Sequence, residues 1–181
     1  LKFGEKHNLK VGTIADLIDY KLSKESTIEN VHTKDVTTEF GEFKLNVWRD
    51  VIFDEYHFSL TKGSPDEIDV PMVRVQTQSV LQDTLGIDEI GKKWSIRKSL
   101  QKIADEGTGV FVLINHRDAK TYWLSSLKDE NVEPKRNRRV IGIGSQILRA
   151  IGLNKIKVLG TPTKYSGLSG FNIEIEGFID E

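Results

Sequence analysis

The feature that most constrains the fold is a change of hydrophobic pattern along the chain. Residues 27–77 are enriched in β-branched and aromatic residues and are interrupted by turn residues at Gly41 and 62–66, which predicts β-hairpins. Apolar residues then recur at helical spacing and predict helices at about 93–106 and 139–152. The strand-like segments include the run Val47, Trp48, Val51 and Ile52 and the stretches 109–115, 155–160 and 172–178. Hairpins followed by alternating helices and strands are typical of a mixed α+β domain.

The composition excludes several classes of function. The 181 residues include no cysteine, which excludes disulfide bonds and thiolate chemistry. A net charge of −1 gives no bulk attraction to nucleic acid or to acidic membranes. No run of about 18 apolar residues is present, so no membrane-spanning helix is predicted. The start of the chain has no signal-peptide pattern, and we therefore expect a cytoplasmic protein.

No metal site is predicted from the spacing of possible ligands. A catalytic zinc needs three protein ligands and an open position for water. The four histidines are scattered, and none stands four residues from another ligand: His7, His32, His57 and His116. The acidic residues Asp83, Asp88 and Glu89 could hold a hard cation, but a solvated acidic loop explains them as well. We therefore predict that the chain binds no metal.

One basic run, residues 135–139, raises the question of nucleic acid binding. Acidic residues stand close before it, at Asp129, Glu130 and Glu133, and no aromatic residue is interleaved with its charges. Nucleic-acid-binding surfaces usually combine basic side chains with aromatic side chains on which bases stack. We interpret the run as a solvated loop and predict no nucleic acid partner.

Two motifs place the chain in a family context. Residues 74–109 read RVQTQSVLQDTLGIDEIGKKWSIRKSLQKIADEGTG, and residues 142–148 read GIGSQIL. They resemble GTP cyclohydrolase II, a zinc enzyme of riboflavin synthesis, whose pattern runs roughly RVHSECLTGD, CDCG, IAEEGRGV and GIGAQIL. The resemblance implies the α+β fold of that family, a mixed sheet with N-terminal β-hairpins and flanking helices.

The beginning of the chain resembles a different enzyme of the same pathway. Residues 7–20 look like the C-terminal end of 3,4-dihydroxy-2-butanone 4-phosphate synthase, a lyase that many bacteria fuse to GTP cyclohydrolase II. The resemblance implies that residues 1–25 are a connector and terminal helix of an upstream synthase domain. Residues 26–181 would then form the cyclohydrolase II-like domain, and we expect a homodimer.

The resemblance also implies that the catalytic centre of the family is lost. The positions of the three zinc-binding cysteines fall on Ser79, Ile90 and Lys92, and the proposed proton acceptor falls on Asn137. Serine is a poor zinc ligand at neutral pH, isoleucine has no donor atom, and lysine is protonated. A family glutamine falls on Ser95, the phosphate-site segment is rewritten at 116–119, and the section after it is shortened to 122–135. We expect no zinc, no catalytic residue and no cyclohydrolase activity.

Three cations of the family pattern remain, at Arg74, Arg139 and Lys164. They suit phosphate and could form an anion site, or they could be surface cations or salt-bridge partners that hold the fold. The first hypothesis for the whole chain is a structural, dimer-forming or regulatory appendage to the synthase. The second is a module that still binds a nucleotide, a flavin or another phosphorylated small molecule. The third is an enzyme with a new, metal-free chemistry.

Overall fold

The computed structural model describes residues 2–12, 17, 20, 25–87, 94–115, 138–162 and 171–180. Its helices are α1 (Lys2–Lys6), α2 (Ile96–Glu106) and α3 (Arg138–Ala150), with a 3₁₀ turn at Pro65–Glu67 and a π-helical turn at Val80–Thr84. The strands are β1 (Ile28–Thr38), β2 (Gly41–Asp50), β3 (Glu55–Lys62), β4 (Met72–Thr77), β5 (Gly109–Ile114), β6 (Lys155–Leu159) and β7 (Glu174–Ile179).

The strands of the described residues form one sheet in the order β1-β2-β3-β5-β4-β6-β7. Strands β1, β2, β3 and β5 pair antiparallel in succession, whereas β5, β4, β6 and β7 pair parallel. The predicted α+β fold, with N-terminal hairpins, a mixed sheet and flanking helices, is confirmed. The carboxyl ends of the four parallel strands lie at one edge of the sheet, which we call the carboxyl edge. The antiparallel pairing brings the connection between β2 and β3 to the same edge.

Each face of the sheet is covered by one of the two long helices. On one face, Ile143 and Ile147 of α3 pack with Val73, Val110 and Val112 of the sheet. On the other face, α2 packs with a second cluster, whose buried members are Phe43, Met72, Trp94, Leu100, Ile103, Phe111 and Leu159. Because side chains alternate along a strand, neighbouring residues of β4 belong to different faces.

The amphipathic pattern predicted both helices well, because one face of each is buried against the sheet. Helix α2 ends where Gly107 takes a left-handed conformation, φ 78°, that glycine adopts at little cost. The strands predicted at 109–115, 155–160 and 172–178 also form, with ends within two residues. The short helix α1 was not predicted, and the connector expected at residues 1–25 lies only partly within the described residues. No helix in the described part of the chain is long and apolar enough to cross a membrane.

One part of the predicted β region is wrong. Val51 and Ile52 do not extend the strand that contains Trp48, because β2 ends at Asp50 and residues 51–54 form a turn. The Asp50 carboxylate accepts hydrogen bonds from the backbone nitrogens of Ile52 at 2.9 Å and Phe53 at 3.3 Å. An aspartate that bonds the backbone two residues ahead favours a turn over a strand, whatever the β propensity of the residues that follow.

Candidate functional site

The position of the first family cysteine is occupied by a serine that serves as a local cap. Ser79 precedes the π-helical turn, and its hydroxyl accepts a hydrogen bond from the backbone nitrogen of Gln82 at 3.3 Å. The Ser79 backbone nitrogen donates to the Asp83 carboxylate at 2.7 Å. The other oxygen of that carboxylate accepts from the backbone nitrogen of Ile96, at the start of α2, at 3.1 Å. Hydrogen bonds of Asp83 therefore tie this loop to α2.

The donor set at the family's zinc position does not fit zinc. A capped serine hydroxyl, an isoleucine and a lysine supply none of the thiolate ligands of that site, and Ile90 and Lys92 lie outside the described residues. Within the residues that the structure describes, no three His, Asp or Glu side chains are gathered so that they could hold a metal ion. The absence of a metal remains a prediction from the residue types.

Arg139, at the start of α3, lies in a cluster of buried charges on the α3 face of the sheet. Its guanidinium donates to the Glu55 carboxylate at 2.6 Å and to the Asp50 carboxylate at 3.2 Å. Both carboxylates are almost fully buried, at the two ends of the β2–β3 connection. The guanidinium carbon also lies 3.8 Å from the ring centroid of Phe53, within that connection. Arg139 therefore clamps the turn between β2 and β3 to the first turn of α3.

We call the ion pairs of Arg139 with Asp50 and Glu55 the clamp. A buried histidine lies beside it. His57 lies on β3 two residues beyond Glu55, and its side chain is fully buried. Its Nδ1 accepts a hydrogen bond from the backbone nitrogen of Asn115, just after β5, at 3.2 Å, which assigns the proton of the neutral ring to Nε2. Burial lowers the pKa of His57, and Arg139 lowers it further, against the opposing influence of Asp50 and Glu55. The neutral ring is therefore the form that the folded protein favours.

Sequence reasoning identified Arg139 but missed the residues around it. All four buried residues of β3 are polar: Glu55, His57, Ser59 and Thr61. In a strand whose buried residues alternate with more exposed ones, a buried set made only of polar residues indicates a buried polar network. That signal was present in the sequence, but the partner that completes the network stands more than 80 residues further along the chain.

Arg74 occupies a separate environment on the α2 face. Its guanidinium donates to the side chain of Gln76 at 2.8 Å, to the Leu159 carbonyl at 2.6 Å and to the Trp94 carbonyl at 3.2 Å. A Cβ atom placed on Gly160 would lie 3.2 Å from the guanidinium. Arg74 thus links β4 to the end of β6 and to the residues that precede α2.

The three cations predicted as an anion site are not seen together. Arg74 contacts residues on the α2 face and Arg139 contacts residues on the α3 face, whereas Lys164 lies outside the described residues. Both arginines have the contacts expected of salt-bridge or hydrogen-bond partners that hold the fold. Ser95 caps α2 by accepting from the backbone nitrogen of Lys98 at 3.2 Å. Asn137 and residues 116–119 and 122–135, which the resemblance predicts to have changed relative to the family, lie outside the described residues.

Comparisons with known proteins agree on the family to which this chain is similar. A family model described as GTP cyclohydrolase II matches residues 29–180. The chain is 32% identical over 183 residues to 3,4-dihydroxy-2-butanone 4-phosphate synthase of Pseudomonas aeruginosa, covering 98% of this chain and 50% of that protein. It is 33% identical over 191 residues to riboflavin biosynthesis protein RibBA of Aquifex aeolicus, covering 97% of this chain and 47% of that protein.

A solved structure agrees in fold over nearly the whole chain. The crystal structure of RibBX, a two domain 3,4-dihydroxy-2-butanone 4-phosphate synthase from A. baumannii, is similar with a TM-score of 0.70 and 33% sequence identity. The similarity covers 99% of this chain and 48% of that one. The chain therefore spans about half the length of the relatives that it matches.

We predict that Arg139→Ala lowers the free energy of unfolding by about 3 kcal/mol, because it leaves two buried carboxylates without their cation. The matched control is Arg97→Ala. Arg97 also pairs with a carboxylate, Glu39, and lies 5.5 Å from the ring centroid of Phe40, but both charged side chains are exposed. We expect the control to cost less than about 1 kcal/mol. Urea unfolding measures both values, and equal losses would contradict the clamp.

We predict that His57 makes stability fall as the pH is lowered from 7 to 5. Its pKa is lowered in the folded state, so the unfolded chain binds more protons below the unfolded pKa of about 6.5. Stability is therefore fully present above that value and is lost on acidification, by at most about 1.4 kcal/mol per pH unit. His57→Asn, which keeps a hydrogen-bond acceptor near Asn115, should flatten the dependence of the urea midpoint on pH. His32→Asn, at an exposed position of β1, should not, and equal profiles for all three proteins would refute the prediction.

Proposed function

Because the chain belongs to the GTP cyclohydrolase II family, we propose that it is a domain of a riboflavin biosynthesis protein that has kept the cyclohydrolase II fold without the cyclohydrolase reaction. The observation that carries the proposal is the replacement of all three zinc-binding cysteines in a chain that contains no cysteine at all. The hydroxyl of Ser79, at the first of these positions, already accepts a backbone hydrogen bond. A zinc ion would supply an activated water to the reaction, and this donor set does not hold one.

The retained arginine supports the same assignment. An active-site arginine must be able to contact a substrate, but Arg139 already contacts two buried carboxylates and the ring of Phe53. An anion at this position would lie beside two buried carboxylates, whose negative charges oppose its binding. We therefore assign Arg139 a role in holding the fold.

The proposed role is that of a structural or regulatory appendage to 3,4-dihydroxy-2-butanone 4-phosphate synthase in the same polypeptide. Support comes from relatives that carry the name of that synthase and match this chain over only about half of their length. A folded domain without its own chemistry can still bias the conformational equilibrium of a domain to which it is joined. We further propose a cytoplasmic, homodimeric protein.

The loss of cyclohydrolase chemistry predicts no GTP consumption by residues 1–181 when zinc is added. The Aquifex aeolicus RibBA protein serves as the comparison sample under the same conditions. Calorimetry with GTP, a ribulose phosphate and flavin mononucleotide then tests the second hypothesis, a residual binding module, and we expect no heat at millimolar ligand. Zinc-dependent GTP consumption would overturn the proposal. Binding heat that Arg139→Gln abolishes would favour the binding module.

The appendage role predicts that deleting residues 26–181 from the complete polypeptide changes the synthase. The observables are synthase turnover, assembly state by light scattering and the unfolding midpoint of the synthase domain. We expect at least one of them to change, because the proposed domain acts by biasing its neighbour. A deletion that leaves all three unchanged would remove both the structural and the regulatory version of the role.

A further inference from the structure

The connection between β2 and β3 exposes an unusual set of side chains at the carboxyl edge. Hairpin connections are normally built from Gly, Asn, Asp, Ser or Pro. Here Val51, Ile52 and Phe53 precede Asp54 in the connection, and all three are exposed, with Ile52 61% exposed. We call these three residues the apolar tip. An exposed ion pair between Arg49 and Asp54, at 2.9 Å, lies beside it. An exposed apolar group with a polar rim is typical of an interaction surface.

The apolar tip is held in one shape by the charged cluster beneath it. The Asp50 carboxylate accepts from the backbone nitrogens of Ile52 and Phe53, and the same carboxylate is bonded by Arg139. The Arg139 guanidinium also contacts the ring of Phe53, an arrangement in which a cation is attracted to the face of an aromatic ring. Since the turn is fixed before any partner arrives, little conformational entropy is lost when a partner covers it.

The apolar tip lies beside the point where the preceding chain reaches the sheet. The backbone nitrogen of Val51 donates to the carbonyl of Thr27 at 2.9 Å. The backbone nitrogen of Thr27 in turn donates to the side chain of Gln146, on α3, at 2.7 Å. Thr27 is therefore held next to the tip, and a domain connected through it stays close to the tip. Such a tether raises the effective concentration to the millimolar range, so a small contact area suffices for docking.

From these observations we propose that the apolar tip is the surface on which the synthase domain of the same polypeptide docks. This inference rests on the proposed function, which places that domain ahead of the connector. The partner surface is expected to be apolar at its centre, to receive Ile52 and Phe53, and charged at its margin, opposite Arg49 and Asp54. In this arrangement the clamp, formed by Arg139 with Asp50 and Glu55, fixes the shape of the docking surface.

The test compares Ile52→Asn with Ile68→Asn in the complete polypeptide. Ile68 is a matched control because it is the same residue type, is 46% exposed and lies between β3 and β4 at the opposite edge of the sheet. The measurements are the radius of gyration by X-ray scattering and the rate of proteolytic cleavage within residues 1–26. We expect Ile52→Asn to raise the cleavage rate about tenfold or more and to enlarge the radius, because the docked state loses the burial of one isoleucine. We expect Ile68→Asn to match the original protein.

Two results would overturn the docking surface. One is an Ile52→Asn protein that stays as compact and as resistant as the original. The other is an Ile52→Asn protein that loses only an oligomer contact in light scattering, which would assign the tip to a second copy of the chain. Circular dichroism and urea unfolding of both variants confirm that each domain is folded. The failure of the proposed function is seen separately, since removing residues 26–181 would then leave the synthase unchanged whatever Ile52→Asn does.

Discussion

The interaction on which this arrangement depends is the contact of one arginine with two buried carboxylates. Asp50 and Glu55 stand at the two ends of the β2–β3 connection, and Arg139 stands at the start of α3. Two buried carboxylates would be very costly without a cation, so the position of α3 and the shape of the turn are set together. His57 lies beside the same cluster, and its neutral ring accepts a hydrogen bond from the backbone nitrogen of Asn115, just after β5. Ion pairs thus stabilise one end of the sheet, whereas apolar packing stabilises its two faces.

Polar side chains hold the loop that contains Ser79 in place. Asp83 accepts from the backbone of Ser79 and of Ile96, which joins the end of β4 to the start of α2. Arg74 reaches from β4 to the carbonyls of Leu159 and Trp94. Arg74 and Asp83, which match the family pattern, therefore hold neighbouring elements together.

The sequence predicted those features that depend on neighbouring residues. The helical spacing of Ile96, Leu100 and Ile103 located α2, since that face packs on the sheet. The prediction from β propensity was wrong for Val51 and Ile52, because the turn is fixed by backbone hydrogen bonds that the Asp50 carboxylate accepts. Local patterns could not predict the clamp, because Glu55 and Asp50 precede Arg139 by 84 and 89 residues. These residues meet only when β3 and α3 are in place. The grouping of Arg74 with Arg139 came from the family resemblance, which does not say on which face of the sheet a side chain lies.

The central claim is that the family's retained arginine now holds the fold and not a ligand. The most direct measurement is the ¹⁵N–¹H spectrum of the Arg139 guanidinium, assigned with Arg139→Lys and recorded while GTP is added to millimolar concentration. The clamp predicts slow rotation and slow proton exchange of this group, with resonances that GTP does not shift. A guanidinium that rotates and exchanges as fast as that of exposed Arg97, or that shifts with GTP, would contradict the account.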